Sequence, residues 1–246
     1  MATASVKHAP PANRLLAALP KREYQCLLPN LEQFPLVFRE ILYEPGGPIR
    51  NVYFPTSGVV ALLAAIEDRA TLEVGLVGRE GMVGVPIFMG VKTSRDRAVV
   101  QAAGSAMRMK ATAFRRECDK LSSLPRLLQR YTYLRLTHIA QGAACNRFHP
   151  VDARVARWLL TTHDRIGADE FRLTQEFLSN MLGVRREGVS KAASTLQQKR
   201  LINYNRGALT ILNRAGLEAV ACQCYRIIKE EYDSFLPRWR RGKTLH

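Results

Sequence analysis

Residues 173–200 read LTQEFLSNMLGVRREGVSKAASTLQQKR. The spacing predicts two short helices joined by a tight turn. Thr174 is placed to cap the first helix, its hydroxyl accepting an orphan backbone N–H. Glu176 adds a negative charge to the first turn, which suits the helix dipole. Phe177, Leu178, Met181 and Leu182 form one apolar stripe. Gly183 comes directly after and can take the left-handed conformation that ends a helix. The second helix is expected from about 185 to 199. Val189, Ala192, Ala193 and Leu196 recur at i, i+3, i+4, i+7 and share its buried face. Arg186, Glu187, Ser190, Lys191 and Ser194 point the other way. That outward face is short, polar and rich in hydrogen-bonding groups, as a helix laid in a DNA major groove requires. An ordinary helical hairpin has the same two-helix pattern. The small inner residues Ala192 and Ala193, the Gly183 elbow and the segment after Arg200 favour helix-turn-helix.

That segment, residues 201–225, reads LINYNRGALTILNRAGLEAVACQCY. Leu201-Ile202 and residues 209–212 suggest two short strands, with Asn205-Arg206-Gly207 as the turn between them. A helix-turn-helix continued by such a hairpin is a winged helix. The set T174-Q-E-x-L, M181-L-G, R186-E-x-V-S-K191, L201-I and the R206-G turn with T210-I-L resembles the DNA-binding domain of the Crp/Fnr family of bacterial transcription regulators. The likeness is sharp over about the last 100 residues and looser over the remainder.

Elsewhere the residues speak more coarsely. The chain has 246 residues, 47% of them hydrophobic, enough for two domains with a real core. Its net charge of +16 favours an anionic partner. Residues 171–246 hold 14 Lys and Arg against 6 Asp and Glu, half of the excess in the last third of the chain. RNA or an anionic membrane would satisfy the same charge, so the helix pattern has to decide. Five cysteines, an odd number at irregular spacing, argue against a disulfide framework. No apolar run reaches about 18 residues, and the N-terminus lacks an apolar core and cleavage pattern, so a soluble cytoplasmic protein with no membrane partner is expected.

Residues 1–12 read as disordered. Residues 14–19 and 21–28 suggest short helices. From Leu36 to Met109 short apolar runs alternate with Gly and Pro: LVFREILYEPGG, NVYFPTSGVVALLAAI, ATLEVGLVG, GMVGVPIFMG, RAVVQAAGSAMRM. They read as strands of an antiparallel β-barrel or jelly roll, with Glu44-Pro45-Gly46 and Pro55-Thr56-Ser57-Gly58 as turns. Residues 110–118 turn helical. From Leu124 onward a long segment carries Leu127, Leu128, Tyr131, Leu134, His138 and Cys145 near a 3.5-residue repeat. This suits a two-stranded dimer seam, with a single-chain core helix as the alternative. His149-Pro150 breaks it. Residues 151–162 resume as a helix, 163–171 hold a short strand, and 214–234 read as one terminal helix before a basic tail. The fold expected is α+β: an N-terminal extension (1–30), an antiparallel β-roll (31–122), a dimerisation helix (123–148), a winged helix-turn-helix (149–234) and the tail (235–246).

No catalytic constellation is present: no Walker loop, no GxGxxG, no HExxH. Gly78-Arg79-Glu80-Gly81 with Gly84 is better explained by turns than by a phosphate cradle. The five histidines are scattered and read as surface or capping residues, so no metal site is assigned. Cys222 and Cys224 on one helix would diverge by roughly 200°, a poor chelate; they read as packing plus one exposed thiol. A cupin-like metal barrel needs clustered His ligands, and residues 36–109 contain no histidine.

The resemblance adds roles. It implies a homodimer on a palindromic double-stranded DNA operator, with RNA polymerase as a further partner. DNA contacts fall to Thr174, Arg185, Arg186, Glu187, Ser190, Lys191 and Arg206, and the dimer seam to Leu127, Tyr131, Leu134 and His138. Arg185 stands where members often carry Ser or Thr, and is assigned to phosphate. Members that bind cyclic AMP use a Gly-Glu pair and an Arg-Ser pair. The matching positions here are Gly84-Val85 and Asp96-Arg97, so the weak effector pocket of Gly84, Val85, Arg95 and Arg97 lacks the ribose acceptor. Oxygen-sensing members hold an iron–sulfur cluster on N-terminal cysteines, and only Cys26 lies there. No cofactor is predicted and the effector is left unassigned. Two alternatives stand beside this reading: a cyclic-nucleotide-responsive regulator, and an effector-binding β-roll whose DNA domain serves protein contacts.

Overall fold

The computed structural model describes residues 11–65, 71–205 and 207–235. The chain opens with two short helices, α1 (Arg14–Ala17) and α2 (Lys21–Leu27), and a 3-10 turn. A β-roll comes next, built from β1 (Glu32–Leu36), β2 (Ile41–Tyr43), β3 (Asn51–Ala65), β4 (Thr71–Val77), the short helix α3 (Val85–Phe88) and β5 (Asp96–Lys110). Then come α4 (Ala111–Lys120), the long α5 (Ser123–Phe148) and α6 (Val151–Ile166). The last part holds β6 (Glu170–Arg172), α7 (Gln175–Leu182), α8 (Arg186–Gln198), β7 (Ile202–Asn205), β8 (Ala208–Ile211), α9 (Arg214–Val220) and α10 (Cys224–Phe235).

The roll is one antiparallel sheet in the order β1-β5-β3-β4, with β2 also on β5. β3 and β5, each 15 residues long, pair from Asn51↔Lys110 to Ala64↔Asp96, with register shifts around residues 55–60. The Pro55–Gly58 stretch is therefore not a turn: it is a bulge inside β3. Gly58 sits there at φ +75°, and a Cβ would meet the Ala102 carbonyl oxygen at 2.6 Å. Such a bulge bends a long strand so that both halves of the roll can curl. GMVGVPIFMG is likewise not a strand; it forms a loop and α3, whose first turn carries Pro86. Proline suits the start of a helix and would interrupt a ladder.

β3 explains how the two halves of the molecule join. Val60 and Leu62 face the roll core with Val52 and Phe54, while Val59, Ala61 and Leu63 face a second core shared with α6, α7 and α8. A strand with apolar residues on both sides must be covered on both sides. Every position of α6 from Ala153 to Thr162 is buried in consequence. The junction also contains a buried ion pair, Arg165 Nε to Glu80 Oε1 at 2.9 Å, with Glu80 accepting from Gly78 N–H.

The expected single helix over 214–234 is two. Leu217 of α9 lies in the second core, whereas Ile228 and Tyr232 of α10 lie in the roll core with α5. The chain turns at Ala221, whose backbone is extended, and α10 then spans the two cores, with Tyr225 in the second and Ile228 and Tyr232 in the first.

Candidate nucleic-acid interface

The helix-turn-helix is α7 and α8. Thr174 caps α7 by accepting from Phe177 N–H at 3.1 Å, and Gly183 ends it at φ +60°. Val189, Ala192, Ala193 and Leu196 are buried on α8, all against the second core except Ala193. Arg185 stands at the N-cap without a side-chain cap bond, so its guanidinium is left outward, and Arg186, Glu187, Lys191 and Ser194 are exposed on the same helix. Ser190 is different. It is half-buried and its hydroxyl donates to Gln175 Oε1 at 2.6 Å, tying α8 to the first turn of α7. Its hydroxyl proton thus ties the two helices together, while its oxygen can still accept.

The wing is a three-stranded sheet in the order β6-β8-β7. Tyr204 holds it to the helices: its N–H donates to Gln197 Oε1 at 2.8 Å and its hydroxyl to the Leu173 carbonyl at 2.9 Å. Burial raises the Tyr204 phenol above its usual range, so it stays a donor. Arg206, expected at the wing tip, lies outside the described residues, as does the basic tail beyond Phe235.

The residues expected at a dimer seam lie on the inward side of α5. Tyr131, Leu134 and His138 are 1%, 5% and 9% exposed, packed in the chain's own core, and Leu127 is half-buried against it. Tyr131 reaches the loop after β4, where its hydroxyl accepts from Met82 N–H at 3.2 Å. Burial, then Arg165, Arg135 and Arg157, hold His138 well below its usual range, so it is neutral. The face of α5 left uncovered carries Gln129, Tyr133, Leu136, Ala140, Ala143 and Arg147, at alternating steps of four and three. Tyr133 is 66% and Leu136 61% exposed.

The expected effector residues are only partly together. Gly84 caps α3 and is buried, Val85 packs on the roll core, and Arg95 shares a surface groove with Pro45, Gly46 and Pro86. Arg97 pairs with Glu44 at 2.7 Å. The cation that does point into the roll is Arg135 of α5, 8% exposed: a Cβ on Gly75 would meet its guanidinium at 2.6 Å. Sequence reading passes over it because an arginine on an amphipathic helix is ordinarily a solvated group.

Cys222 and Cys224 also correct the sequence reading. Cys222 lies in the linker between α9 and α10 and Cys224 opens α10, so they are not two residues of one helix, and both thiols are buried. They converge on Cys145 and on His149, which is not a solitary surface residue. The C-x3-H spacing of 145–149 beside the C-x-C of 222–224 is the signal that could have paired them.

A protein-family model for the Crp-like helix-turn-helix domain matches residues 153–220. Comparison with curated protein sequences finds no match. Among solved structures the chain is similar to FixK2 from Bradyrhizobium japonicum, at 19% identity and a TM-score of 0.67, covering 78% of this chain and 98% of that one. It is also similar to a CRP-family transcriptional regulator from Thermus thermophilus (20% identity, TM-score 0.63, 77% and 96% covered). The c-di-GMP-responsive global regulator CLP of Xanthomonas campestris gives 19% identity and a TM-score of 0.61 over 78% and 99%. Among the described residues no helix is long and apolar enough to cross a membrane. The chain carries a Crp-like helix-turn-helix DNA-binding domain on the fold of the Crp/Fnr transcription regulators.

Proposed function

We propose that the protein is a cytoplasmic transcription regulator that binds a palindromic operator as a homodimer. The observation that carries this is the outer face of α8. Arg186, Glu187 and Lys191 stand exposed on a helix whose position is fixed from behind by Ser190–Gln175 and from the side by Tyr204–Gln197. A rigid helix with a free polar face is what base reading in a major groove needs. Arg186 or Lys191 donates to guanine O6 and N7, Glu187 accepts from cytosine N4, and Arg185 with Thr174 and the wing residue Arg206 meets phosphate. Two such helices, about 34 Å apart, read the two half-sites.

The uncovered face of α5 supports the dimer. Its four-and-three spacing repeats every seven residues, the period that keeps a seam facing a partner helix. Tyr133, Leu136, Ala140 and Ala143 take the role that the sequence pattern assigns to Tyr131, Leu134 and His138. RNA polymerase is the further partner this reading implies.

The effector is not cyclic AMP in this proposal. Val85 offers no acceptor to a ribose hydroxyl, Arg97 is engaged by Glu44, and Tyr131 and Arg135 enter the roll from α5. Arg135 itself favours the second reading, an anionic effector of another kind, because its Nη1 is buried without a hydrogen-bond partner among the described residues. Binding-site selection with purified protein tests the main reading: a two-fold symmetric consensus is expected, and recovery of no enriched sequence overturns it. Calorimetry with cyclic AMP and cyclic GMP tests the effector reading: micromolar binding that strengthens operator affinity overturns it.

A further inference from the structure

Cys145, His149, Cys222 and Cys224 come from two stretches of the chain, 145–149 and 222–224. Cys145 lies in the last turn of α5, His149 is the residue that ends α5, Cys222 lies between α9 and α10, and Cys224 opens α10. Their four ligand atoms all lie within 4.8 Å of one another. Cys145 Sγ is 3.5 Å from Cys222 Sγ, and Cys224 Sγ is 3.6 Å from His149 Nδ1. With Zn–S near 2.3 Å and Zn–N near 2.0–2.1 Å, the edges of a tetrahedral site are about 3.4–3.8 Å. Two of the six separations therefore already have the length of a tetrahedral edge, and none of the six exceeds 4.8 Å. Ligands divided between two irons of a cluster would have to stand farther apart than this.

A second observation concerns charge. Arg154 and Arg157 are 6% and 8% exposed and lie within electrostatic reach of Cys145. Neither forms an ion pair among the described residues, and the Nε of each has no hydrogen-bond partner there. Buried guanidinium groups are costly without a counter-charge. Three thiolates and one divalent cation carry one net negative charge, which would supply it. Gln141 Nε2 donates to Cys224 Sγ at 3.0 Å, the kind of outer hydrogen bond that orients a metal-bound thiolate.

We infer that Cys145, His149, Cys222 and Cys224 form a mononuclear zinc site that pins the end of α5 to the α9–α10 linker. Three soft sulfur ligands and one imidazole, all from the protein, make a closed tetrahedral set of the structural type, with no position for a substrate. Binding displaces the thiol protons and requires no oxidant. The ion sits where the long helix passes into α6, and it fixes the start of the DNA-binding part against α10. It also accounts for the break between α9 and α10, which brings Cys222 to Cys145. The site rests on the ligand geometry and does not depend on what α8 reads.

The test is elemental analysis of the full chain, purified without chelators from zinc-supplemented cells. About one zinc per chain is expected. Cys224→Ser and Cys145→Ser lose it, whereas Cys26→Ser and Cys118→Ser keep it. Because a ligand variant can fail to fold, cobalt(II) is also titrated into the metal-free wild-type protein. The intense visible bands of a tetrahedral thiolate cobalt centre, saturating at one equivalent and discharged by zinc, support the site. Wild-type protein that carries no zinc and gives no such bands overturns it. So does a Cys145–Cys222 disulfide, found by mass mapping, as the form isolated under reducing conditions.

Discussion

α5 and α8 are both amphipathic helices with one buried and one open face, yet the two faces differ in kind. On α8 the buried face is Val189, Ala192, Ala193 and Leu196, and the open face is charged. On α5 both faces are apolar: Leu124, Leu128, Tyr131 and Leu134 point inward, and Tyr133, Leu136 and Ile139 point outward. Polar groups are distributed in reverse. α5 buries Arg135 and His138 against the chain's own core, whereas α8 keeps its guanidinium and ammonium groups in water. A helix with charge on one side has one possible burial direction. A helix apolar on two sides has two, and needs a second partner for the face its own chain leaves open.

Charges placed on neighbouring positions of α5 separate those faces, and give the largest effects expected. Leu134→Asp puts a carboxylate into the core, at a cost on the order of 4 kcal/mol or more, and should leave little folded protein. Leu136→Asp, two residues on, should keep the fold and abolish the dimer. Losing the second half-site contact then lowers operator affinity by about 10²–10⁴-fold. Circular dichroism melts and sedimentation velocity check both. A folded Leu134→Asp monomer beside a dimeric Leu136→Asp protein would exchange the two faces and sink the assignment.

On α8 the contrast lies between Glu187 and Ser190. Glu187→Ala should relax preference at one base pair, by about 1–3 kcal/mol of discrimination, with stability almost unchanged. Ser190→Ala should do the opposite: the selected consensus stays, and the loss of the Gln175 hydrogen bond costs about 1 kcal/mol of stability. Identical consensus sequences for wild type and Glu187→Ala would remove Glu187 from the readers.

The same contrast sets how far the sequence can be read. The helix-turn-helix and wing are legible in outline because each local signal has a single structural answer: Thr174 and Gly183 bound α7, and the alternation after Leu201 pairs β7 with β8. On α5 a 3.5-residue period locates the helix without choosing between its two apolar faces, and Tyr131, Leu134 and His138, which the period singles out, are buried within the chain. α3 is hidden by the apolar texture of GMVGVPIFMG, which a strand and a short helix share until Pro86 is weighed. The α9–α10 break carries no Gly or Pro, so no local residue marks it. The Cys145–Cys222 approach spans 77 residues, a distance over which spacing rules are silent. Arg135 is harder still to foresee, since this buried cation enters the roll from a helix outside it.

The smallest effect expected concerns a buried carboxyl beside the inward face of α5. Glu73 of β4 accepts from Trp158 Nε1 of α6 at 3.0 Å and shares a cavity with His138 and Arg157, at the junction of the roll with the DNA-binding part. Burial raises its carboxyl to about 7, against the opposing pull of the Trp158 hydrogen bond and of Arg157, Arg165 and Arg135. Near and below the ordinary carboxyl range, native and unfolded chains both hold the proton. As pH rises from about 4.5 to 7 the unfolded chain has released it and the native chain has not, so native stability falls across that window and the loss is complete above it. Glutamine keeps an acceptor for Trp158 and stays neutral at every pH. Glu73→Gln should therefore lie near wild type at pH 5 and melt several °C higher at pH 8, each kcal/mol being worth about 2–4 °C in a chain of this size. No comparable pH step should attend substitutions on the open face of α8, where the charges are solvated. Equal melting differences at the two pH values would show that Glu73 is ionised in the native protein.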